Sequence, residues 1–196
     1  MLSNELRNIL SQNGGTFTTA QAKVVGVSNE RLRLLTNAGE LERVAHGVYL
    51  LPDEFLDKMY VAQLRRPKII YSHETALFLH DLTDRDPLCY TVTAPTGYNK
   101  TRLLDDGLRV FTVKRELHEI GAVRAKTMFG NTVTVYGLER TICDCIRSRN
   151  QMDGAIVTDA MRRYVTRRDK NLNVLMEIAD IFCVAKLLRS YMEVLL

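Results

Sequence analysis

Residues 18–37 read TTAQAKVVGVSNERLRLLTN, and this stretch decides the fold of the amino-terminal part of the chain. Thr18 and Gln21 have the spacing of a capping box, which begins a first helix. Ala22 is small enough for a second helix to cross closely, and Gly26 can take the positive φ that the intervening turn requires. Gln21 departs from the usual pattern, because an apolar side chain is common at its position. The remaining positions agree, and the stretch predicts a helix-turn-helix.

The second helix of this pair is expected to have Ser28 as its N-cap and to bury Leu32 and Leu35. Because each residue rotates by about 100° around the helix, the opposite face is polar and suits the major groove of DNA. Arg33 has the geometry to bond guanine O6 and N7, and Asn37 to bond adenine N6 and N7. The outward-facing and flanking residues are Asn29, Glu30, Arg31, Arg33, Leu34 and Asn37. The alternative is that this polar face contacts only solvent and no DNA.

A short β-hairpin, or wing, is predicted directly after this helix. Residues 40–50 read ELERVAHGVYL, with apolar strand positions on both sides of a tip that contains Gly47. Arg43 and His46 would place hydrogen-bond donors beside the phosphate backbone or in the minor groove, whereas Tyr49 is expected to complete the core. The two motifs together predict a winged helix-turn-helix domain over residues 1–52. Its predicted DNA contacts are Thr18, Thr19, Ser28, Asn29, Arg31, Arg33, Asn37, Arg43 and His46.

The composition is that of an ordinary soluble protein, with 196 residues of which 46% are hydrophobic and 26% charged. No apolar run is long enough to cross a bilayer, and a charged first helix that begins almost at Met1 argues against a signal peptide. A cytoplasmic protein is therefore expected. The four cysteines complete no zinc pattern and are interpreted as buried, reduced thiols. The formal net charge of +4 is a weak indication of a polyanionic partner.

Residues 53–196 are predicted to form a larger, mixed α/β domain that ends in helices, so that the fold class of the whole chain is α+β. A connecting helix is expected over residues 53–66. Ser72 is expected to cap the next helix, and alternating apolar residues indicate a strand from Leu88 onwards. A hairpin turns near Gly130, and helices follow it to the end of the chain.

No arrangement in this second part indicates catalysis. His73, Glu74 and His80 do not have the H-E-x-x-H spacing of a zinc site. Asp84 and Asp86 precede a proline, where acidic residues are typical of a turn. The sequence contains neither a nucleophile elbow nor a glycine-rich phosphate loop. The chain is therefore predicted not to be an enzyme and to need no metal and no cofactor.

Positive charge is concentrated outside the amino-terminal domain. Residues 1–50 carry five basic and four acidic side chains, so the excess lies in the remainder. Four arginines crowd one helix end and its loop, and Lys100 lies in a second loop. If these side chains gather on one side, they extend the DNA-contacting surface beyond the wing; if they are scattered, they form an ordinary solvated surface. The four arginines are Arg162, Arg163, Arg167 and Arg168.

Three short stretches carry a resemblance to a known family: GELERVAHGVY at residues 39–49, SHETAL at 72–77 and LERTICD at 138–144. In this order they resemble the AbiEi antitoxins of bacterial abortive-infection (type IV toxin–antitoxin) systems, which act in phage defence. The resemblance implies an autoregulating transcriptional repressor that binds inverted repeats of double-stranded DNA in its own promoter. It also implies that the second domain counteracts an AbiEii-type, nucleotidyltransferase-like toxin without a stable complex, and it supplies no catalytic residues.

Two other functions remain open on the sequence. A ligand-responsive winged-helix transcription factor would hold an effector pocket in its second domain and would have no antitoxin role. An enzyme acting on nucleic acid would need acids such as Asp84, Asp86 or Asp144, but no recognisable acid–base or metal-binding group accompanies them.

Overall fold

The computed structural model describes residues 4–195, except for the side chains at positions 4, 12, 194 and 195. Two compact units make up the chain. The first unit holds the residues up to Pro67 together with Lys126–Val133, and the second unit holds Lys68–Ala125 and the residues from Thr134 onwards. The functional boundary predicted between residues 52 and 53 stays a prediction, but as a compact body the first unit extends further along the chain.

The first unit contains a helix-turn-helix and a three-stranded antiparallel sheet in the order β1-β3-β2. Thr18 pairs with Val48 and Arg43 with Tyr49, and one extra residue between Arg43 and Ala45 forms a bulge in β2. Its elements are α1 (Asn4–Gln12), β1 (Thr16–Thr18), α2 (Thr19–Val24), α3 (Asn29–Asn37), β2 (Glu42–Ala45), β3 (Val48–Leu50) and α4 (Lys58–Arg65). The predicted α+β fold class is confirmed.

Leucines from α1 and α3 form the core of the first unit with one buried phenylalanine. Leu6 and Leu32 are 1% and 0% exposed, and burying one such side chain stabilises a fold by about 1.5–3 kcal/mol. Phe17 is fully buried, and its ring stacks on Tyr49 with 5.5 Å between the ring centroids. Tyr49 therefore completes this core, as the sequence predicted.

The connecting helix is shorter than the sequence predicted. The prediction of helix from residue 53 was wrong, because the helix α4 begins only at Lys58. Asp57 is its N-cap and accepts a hydrogen bond from the backbone N–H of Tyr60 over 3.0 Å. An aspartate in this position satisfies a donor that the first helical turn leaves without a partner, so the helix starts there.

The second unit is built on a mixed five-stranded sheet in the order β6-β5-β4-β8-β7. Strand β4 is antiparallel to β5 and parallel to β8, while β5 and β6 are parallel. The elements are β4 (Ile70–Tyr71), α5 (His73–Leu79), β5 (Thr91–Pro95), α6 (Thr101–Asp105), β6 (Arg109–Val113), β7 (Ala122–Lys126), β8 (Thr132–Tyr136), α7 (Leu138–Arg147), α8 (Gly154–Thr166), α9 (Leu172–Ile181) and α10 (Ala185–Leu195). The chain ends in helices, as predicted.

One local prediction in this unit was wrong, and another was confirmed only in part. The alternation that begins at Leu88 does not form strand throughout: Leu88 is fully exposed, and β5 starts at Thr91. Ser72 stands at the N-cap of α5 but its side chain caps nothing. Its hydroxyl instead accepts a hydrogen bond from Thr93 over 2.9 Å and lies 3.0 Å from His73 Nδ1. His73 itself has a φ of +49°, which is unusual for a residue with a side chain.

Residues 138–144, which read LERTICD, contain a buried ion pair. Arg140 and Asp144 are both 0% exposed, and Arg140 Nε donates to Asp144 over 2.9 Å. The guanidinium lies between the rings of Tyr136 and Phe182, 3.9 Å from each centroid, and also donates to two backbone carbonyls. Removing one partner of such a pair typically costs about 3–5 kcal/mol, so this stretch has a structural role.

The cysteines divide into two kinds. Cys143 and Cys145 are buried and free, as predicted, and burial raises the pKa of the Cys143 thiol to about 12. The same prediction was wrong for Cys89 and Cys183, which are free but exposed. Among residues 4–195, no helix combines the length and apolar character needed to cross a membrane.

Candidate nucleic-acid interface

The turn between α2 and α3 is fixed by local hydrogen bonds. The backbone N–H of Gln21 donates to Thr18 Oγ1 over 3.2 Å, and the N–H of Thr18 donates to Gln21 Oε1 over 2.8 Å. Both halves of the predicted capping box are therefore present. This use of the Gln21 side chain explains why a polar residue stands at a normally apolar position. Ala22 is fully buried, and Gly26 has a φ of +74°, as the tight turn requires.

Helix α3 forms at the position where the sequence predicts the DNA-contacting, or recognition, helix. Ser28 is its N-cap, and its hydroxyl accepts from the N–H of Arg31 over 3.2 Å. Leu32 and Leu35 are buried in the core, and Gly39 with a φ of +73° follows the end of the helix. The helix is therefore held in one orientation by its cap and its apolar face.

The opposite face of α3 is exposed and mostly polar, as the sequence predicted. Its exposed side chains are Asn29, Glu30, Arg31, Arg33, Leu34 and Asn37. Arg33 and Asn37 supply the fork-shaped donors and the amide that bond guanine and adenine edges. Leu34 is 49% exposed and adds an apolar surface suited to a thymine methyl group. This face has the chemistry for reading base edges.

The wing is attached to the start of α2. Gly47 forms its turn with a φ of +70°, and the carbonyl oxygen of Gly47 accepts from the N–H of Thr19 over 2.9 Å and from its hydroxyl over 3.3 Å. The hydroxyls of Thr18 and Thr19 thus have partners within the unit. If these threonines contact DNA, their hydroxyls must do so while they keep these internal hydrogen bonds.

Arg43 and His46 form an exposed pair on the wing. Arg43 Nη2 lies 3.2 Å from His46 Nδ1. A guanidinium can only donate, so Nδ1 accepts and the proton of a neutral His46 ring is on Nε2. The wing therefore presents further guanidinium N–H groups and an imidazole N–H, which are donors for phosphate oxygens.

The arginines of the second unit do not form one free cluster. Arg163 donates to Asp84 over 2.9 Å and to Asp159 over 2.9 Å. Arg167 bonds Asp169 over 2.8 Å and holds the pKa of that carboxyl at about 2. These two arginines are partly neutralised within the unit. Arg162, Arg168 and Lys100 are exposed, with no ion-pair partner among residues 4–195.

The histidine and acidic side chains considered in the sequence as possible metal ligands each have their own partners in the second unit. His73 lies 3.0 Å from Ser148 Oγ and stacks on Phe111, and its pKa is well below the ordinary value because of burial and nearby arginines. Glu74 accepts from Arg109 over 2.7 Å. In the part of the chain that the structure describes, no three His, Cys, Asp or Glu side chains gather as a group that could hold a metal ion.

Sequence reasoning missed one residue that organises the first unit. Asp57 is 1% exposed, and its Oδ2 accepts from Thr127 Oγ1 over 2.6 Å and from Asn131 Nδ2 over 2.9 Å. It therefore joins the start of α4 to the tip of the β7–β8 hairpin. The spacing of Asp57 and Tyr60 could have indicated the N-cap, but nothing local indicates the hairpin partners.

Comparison with known proteins agrees with this geometry. Residues 4–52 match a family model described as "Transcriptional regulator, AbiEi antitoxin". No curated protein sequence matches the chain significantly. The crystal structure of the Rv2827c protein from Mycobacterium tuberculosis is similar to this chain, with a TM-score of 0.58 and 12% identity over 92% of this chain and 72% of that one. At this identity the likeness concerns the fold alone. The resemblance to the AbiEi antitoxins is thus confirmed by a family model that matches residues 4–52, the part of the chain that holds α3 and the wing.

Proposed function

We propose that this chain is the antitoxin of a type IV toxin–antitoxin system and represses its own operon by binding inverted repeats in the promoter. The observation that carries the DNA-binding part is the face of α3, on which Arg33 and Asn37 are exposed while Leu32 and Leu35 are buried. A capped helix with this division of faces enters a major groove without rearrangement of the domain.

In this proposal α3 reads sequence and the wing fixes its register. Arg33 bonds guanine and Asn37 bonds adenine, and each bidentate pair contributes about 1–3 kcal/mol of discrimination. Asn29 and Arg31 flank these contacts. Arg43 and His46 on the wing contact phosphates or the minor groove.

The second unit supplies phosphate attraction in this proposal. The charge balance of the first fifty residues is nearly even, so α3 and the wing alone attract DNA weakly. Arg162, Arg168 and Lys100 are the side chains best suited to phosphates. Arg163 and Arg167 are weaker candidates, because each already bonds a carboxylate.

The antitoxin role rests on the family of the amino-terminal domain. We propose that the second unit counteracts a nucleotidyltransferase-like, AbiEii-type toxin in the cytoplasm without a stable complex, as part of abortive phage infection. The chain is not an enzyme in this proposal and uses no metal and no cofactor, consistent with its family description as a regulator.

Two measurements on one strain test this function. A reporter fused to the promoter of the operon measures repression, and induction of the neighbouring toxin gene measures growth with and without the antitoxin. We expect the full chain to repress the reporter and to restore growth. Repression without rescue contradicts the antitoxin role, and rescue without repression contradicts the operator role.

One observation favours a second candidate, a ligand-responsive regulator without antitoxin function. The second unit has a cavity of about 330 Å³ between the start of α5 and the segment before β5. Its lining includes the charged side chains of Glu74 and Arg109 and the apolar side chains of Leu88 and Ile156. This candidate predicts that a small molecule weakens operator binding and that growth is not rescued.

A further inference from the structure

Four apolar side chains of the first unit are displayed to solvent. Phe55 and Met128 are 79% and 84% exposed, and Leu56 and Phe129 are 40% and 43% exposed. The rings of Phe55 and Phe129 stack with 6.4 Å between their centroids. We call Phe55, Leu56, Met128 and Phe129 the aromatic platform. Contiguous exposed apolar side chains of this kind mark interaction sites rather than ordinary surface.

The platform is held in place by a buried carboxylate. Phe55 and Leu56 directly precede Asp57, while Met128 and Phe129 lie between its two hydrogen-bond donors, Thr127 and Asn131. A carboxylate that accepts several buried hydrogen bonds fixes both segments relative to each other. The exposed rings are therefore presented on a defined surface, with little ordering left to occur when a partner binds.

The platform lies at the end of the wing sheet that is away from the wing turn. Thr18 pairs with Val48 next to the turn, whereas Thr16 pairs with Leu50 at the other end. The platform segments approach the chain just beyond that other end. A Cβ built on Gly14 would lie 3.0 Å from the Asn131 side chain, and one built on Gly15 would meet the Glu54 side chain. The platform thus lies apart from the wing turn that we propose to contact phosphates, and its apolar side chains suit a protein partner better than the charged backbone of DNA.

The charged side chains beside the platform indicate that the partner is a second copy of this chain. Asp53 and Glu54 precede the platform on one segment, and Lys126 precedes it on the other. All three are exposed, with no ion-pair partner in the part of the chain that the structure describes. In a two-fold pair the same surface meets itself, and an axis that passes between the two segments places the acidic segment of one copy opposite the basic segment of the other. The surface is thus complementary to itself in both charge and hydrophobicity.

We propose that the aromatic platform docks a second copy of this chain around a two-fold axis. The pairing goes beyond the proposed function and does not depend on it, because the platform forms without DNA. Two recognition helices held by a two-fold pair match the symmetry of an inverted repeat. A contact built on four apolar side chains is small for a specific interface, and tethering of both copies to adjacent half-sites strengthens it by raising their effective concentration.

Sedimentation equilibrium of the full chain without DNA tests the pairing. We expect the average mass to rise from that of one chain towards that of two chains as the protein concentration increases. In the variant that combines Phe55→Ser and Met128→Ser, the same rise should require a protein concentration at least tenfold higher. Leu88→Ser, which removes an exposed leucine of the second unit, is the matched control and leaves the curve unchanged. A single-chain mass at all concentrations, or a mass that ignores the platform substitutions, contradicts the proposal.

A charge exchange separates a second copy from any other partner. Asp53→Lys and Lys126→Glu are each expected to weaken self-association, and the two together are expected to restore it, because the opposed charges are merely exchanged between copies. If self-association is not restored in the double variant, the two-fold arrangement is contradicted. Binding to a single half-site is expected to be the same for the platform variant as for the unaltered protein. Failure of the pairing is thereby distinguished from failure of DNA recognition.

Discussion

The carbonyl oxygen of Gly47 accepts two hydrogen bonds from Thr19, one from its backbone N–H over 2.9 Å and one from its hydroxyl over 3.3 Å. The first residue of α2 is thereby bonded to the turn of the wing. Since Ala22 of α2 and Leu32 of α3 share one buried core, this contact couples the two parts of the proposed DNA-binding surface.

Replacing Thr19 by valine tests this coupling. The change keeps the shape of the side chain and the backbone hydrogen bond but removes the hydroxyl bond, which is worth about 0.5–1.5 kcal/mol. We expect affinity for operator DNA to fall by about twofold to tenfold while sequence preference stays the same. Fluorescence anisotropy with labelled DNA measures both quantities. Thr158→Val removes a comparable hydroxyl bond to a helix carbonyl in α8 and serves as the control. An affinity equal to that of this control contradicts the coupling.

Asp57 is expected to be one of the most sensitive positions of the first unit. Asp57→Ala removes a helix cap and leaves the buried side chains of Thr127 and Asn131 without their acceptor. The expected fall in the free energy of unfolding is about 2–4 kcal/mol, from the cap and from the lost buried hydrogen bonds. Urea unfolding followed by circular dichroism measures it. Asp53→Ala, at an exposed position in the same loop, should change stability by less than about 0.5 kcal/mol. Equal effects of the two substitutions would show that the hydrogen bonds of Asp57 do not stabilise the unit.

The second-unit arginines should differ in their contribution to the salt dependence of DNA binding. Arg162→Gln with Arg168→Gln is expected to lower the slope of log K against log salt concentration by up to about 0.9 for each lost phosphate contact. Arg163→Gln with Arg167→Gln should change the slope less, because Asp84 and Asp169 already compete for these side chains. A larger slope change for the second pair would reverse our assignment.

Stability should fall in mild acid because of His73. Burial, and then the charges of Arg147, Arg109 and Arg140, hold its pKa well below the ordinary 6.5. Below about pH 6.5 the unfolded chain therefore binds a proton that the folded chain does not, and the free energy of unfolding declines by up to about 1.4 kcal/mol per pH unit. The decline continues until the pH reaches the lower pKa of the folded state.

His73→Asn provides the comparison for this pH dependence. Asparagine tolerates the positive φ of this position but does not titrate, so the variant should be less stable at neutral pH and show a smaller decline in acid. Urea unfolding at several values between about pH 7 and 5 gives both slopes. Identical slopes for the two proteins would assign the acid sensitivity to other groups, with His80 the first to consider, since its pKa is also lowered by burial.

The helix-turn-helix could be predicted from the sequence because its signals are local. The hydrogen bonds of the capping box join Thr18 to Gln21, and the bond at the next cap joins Ser28 to Arg31, each over three residues. Such short-range bonds form wherever the residue types have the correct spacing, so the pattern is sufficient evidence for the elements.

The features that could not be predicted depend on partners far along the chain. Asp57 bonds residues that lie 70 and 74 positions away, and its neighbours give no sign of this. Arg140 would be expected on a helix surface, yet it is buried because the rings of Tyr136 and Phe182 enclose it. The ion pairs of Arg163 and Arg167 likewise depend on tertiary placement. Arginines that are close together in the sequence are therefore not all free to bind phosphate in the folded unit.

Binding of the variant that combines Arg33→Ala and Asn37→Ala to promoter DNA tests the central claim most directly. The affinity of the full chain is measured for the operator and for a scrambled duplex of the same length at one salt concentration, with Arg189→Ala as the control for loss of an exposed arginine. We predict that the double variant loses about 1–3 kcal/mol of operator binding per lost bidentate contact and binds both duplexes almost equally, while the control keeps its preference. An unchanged preference for the operator in the double variant would contradict the assignment of α3 as the helix that reads DNA.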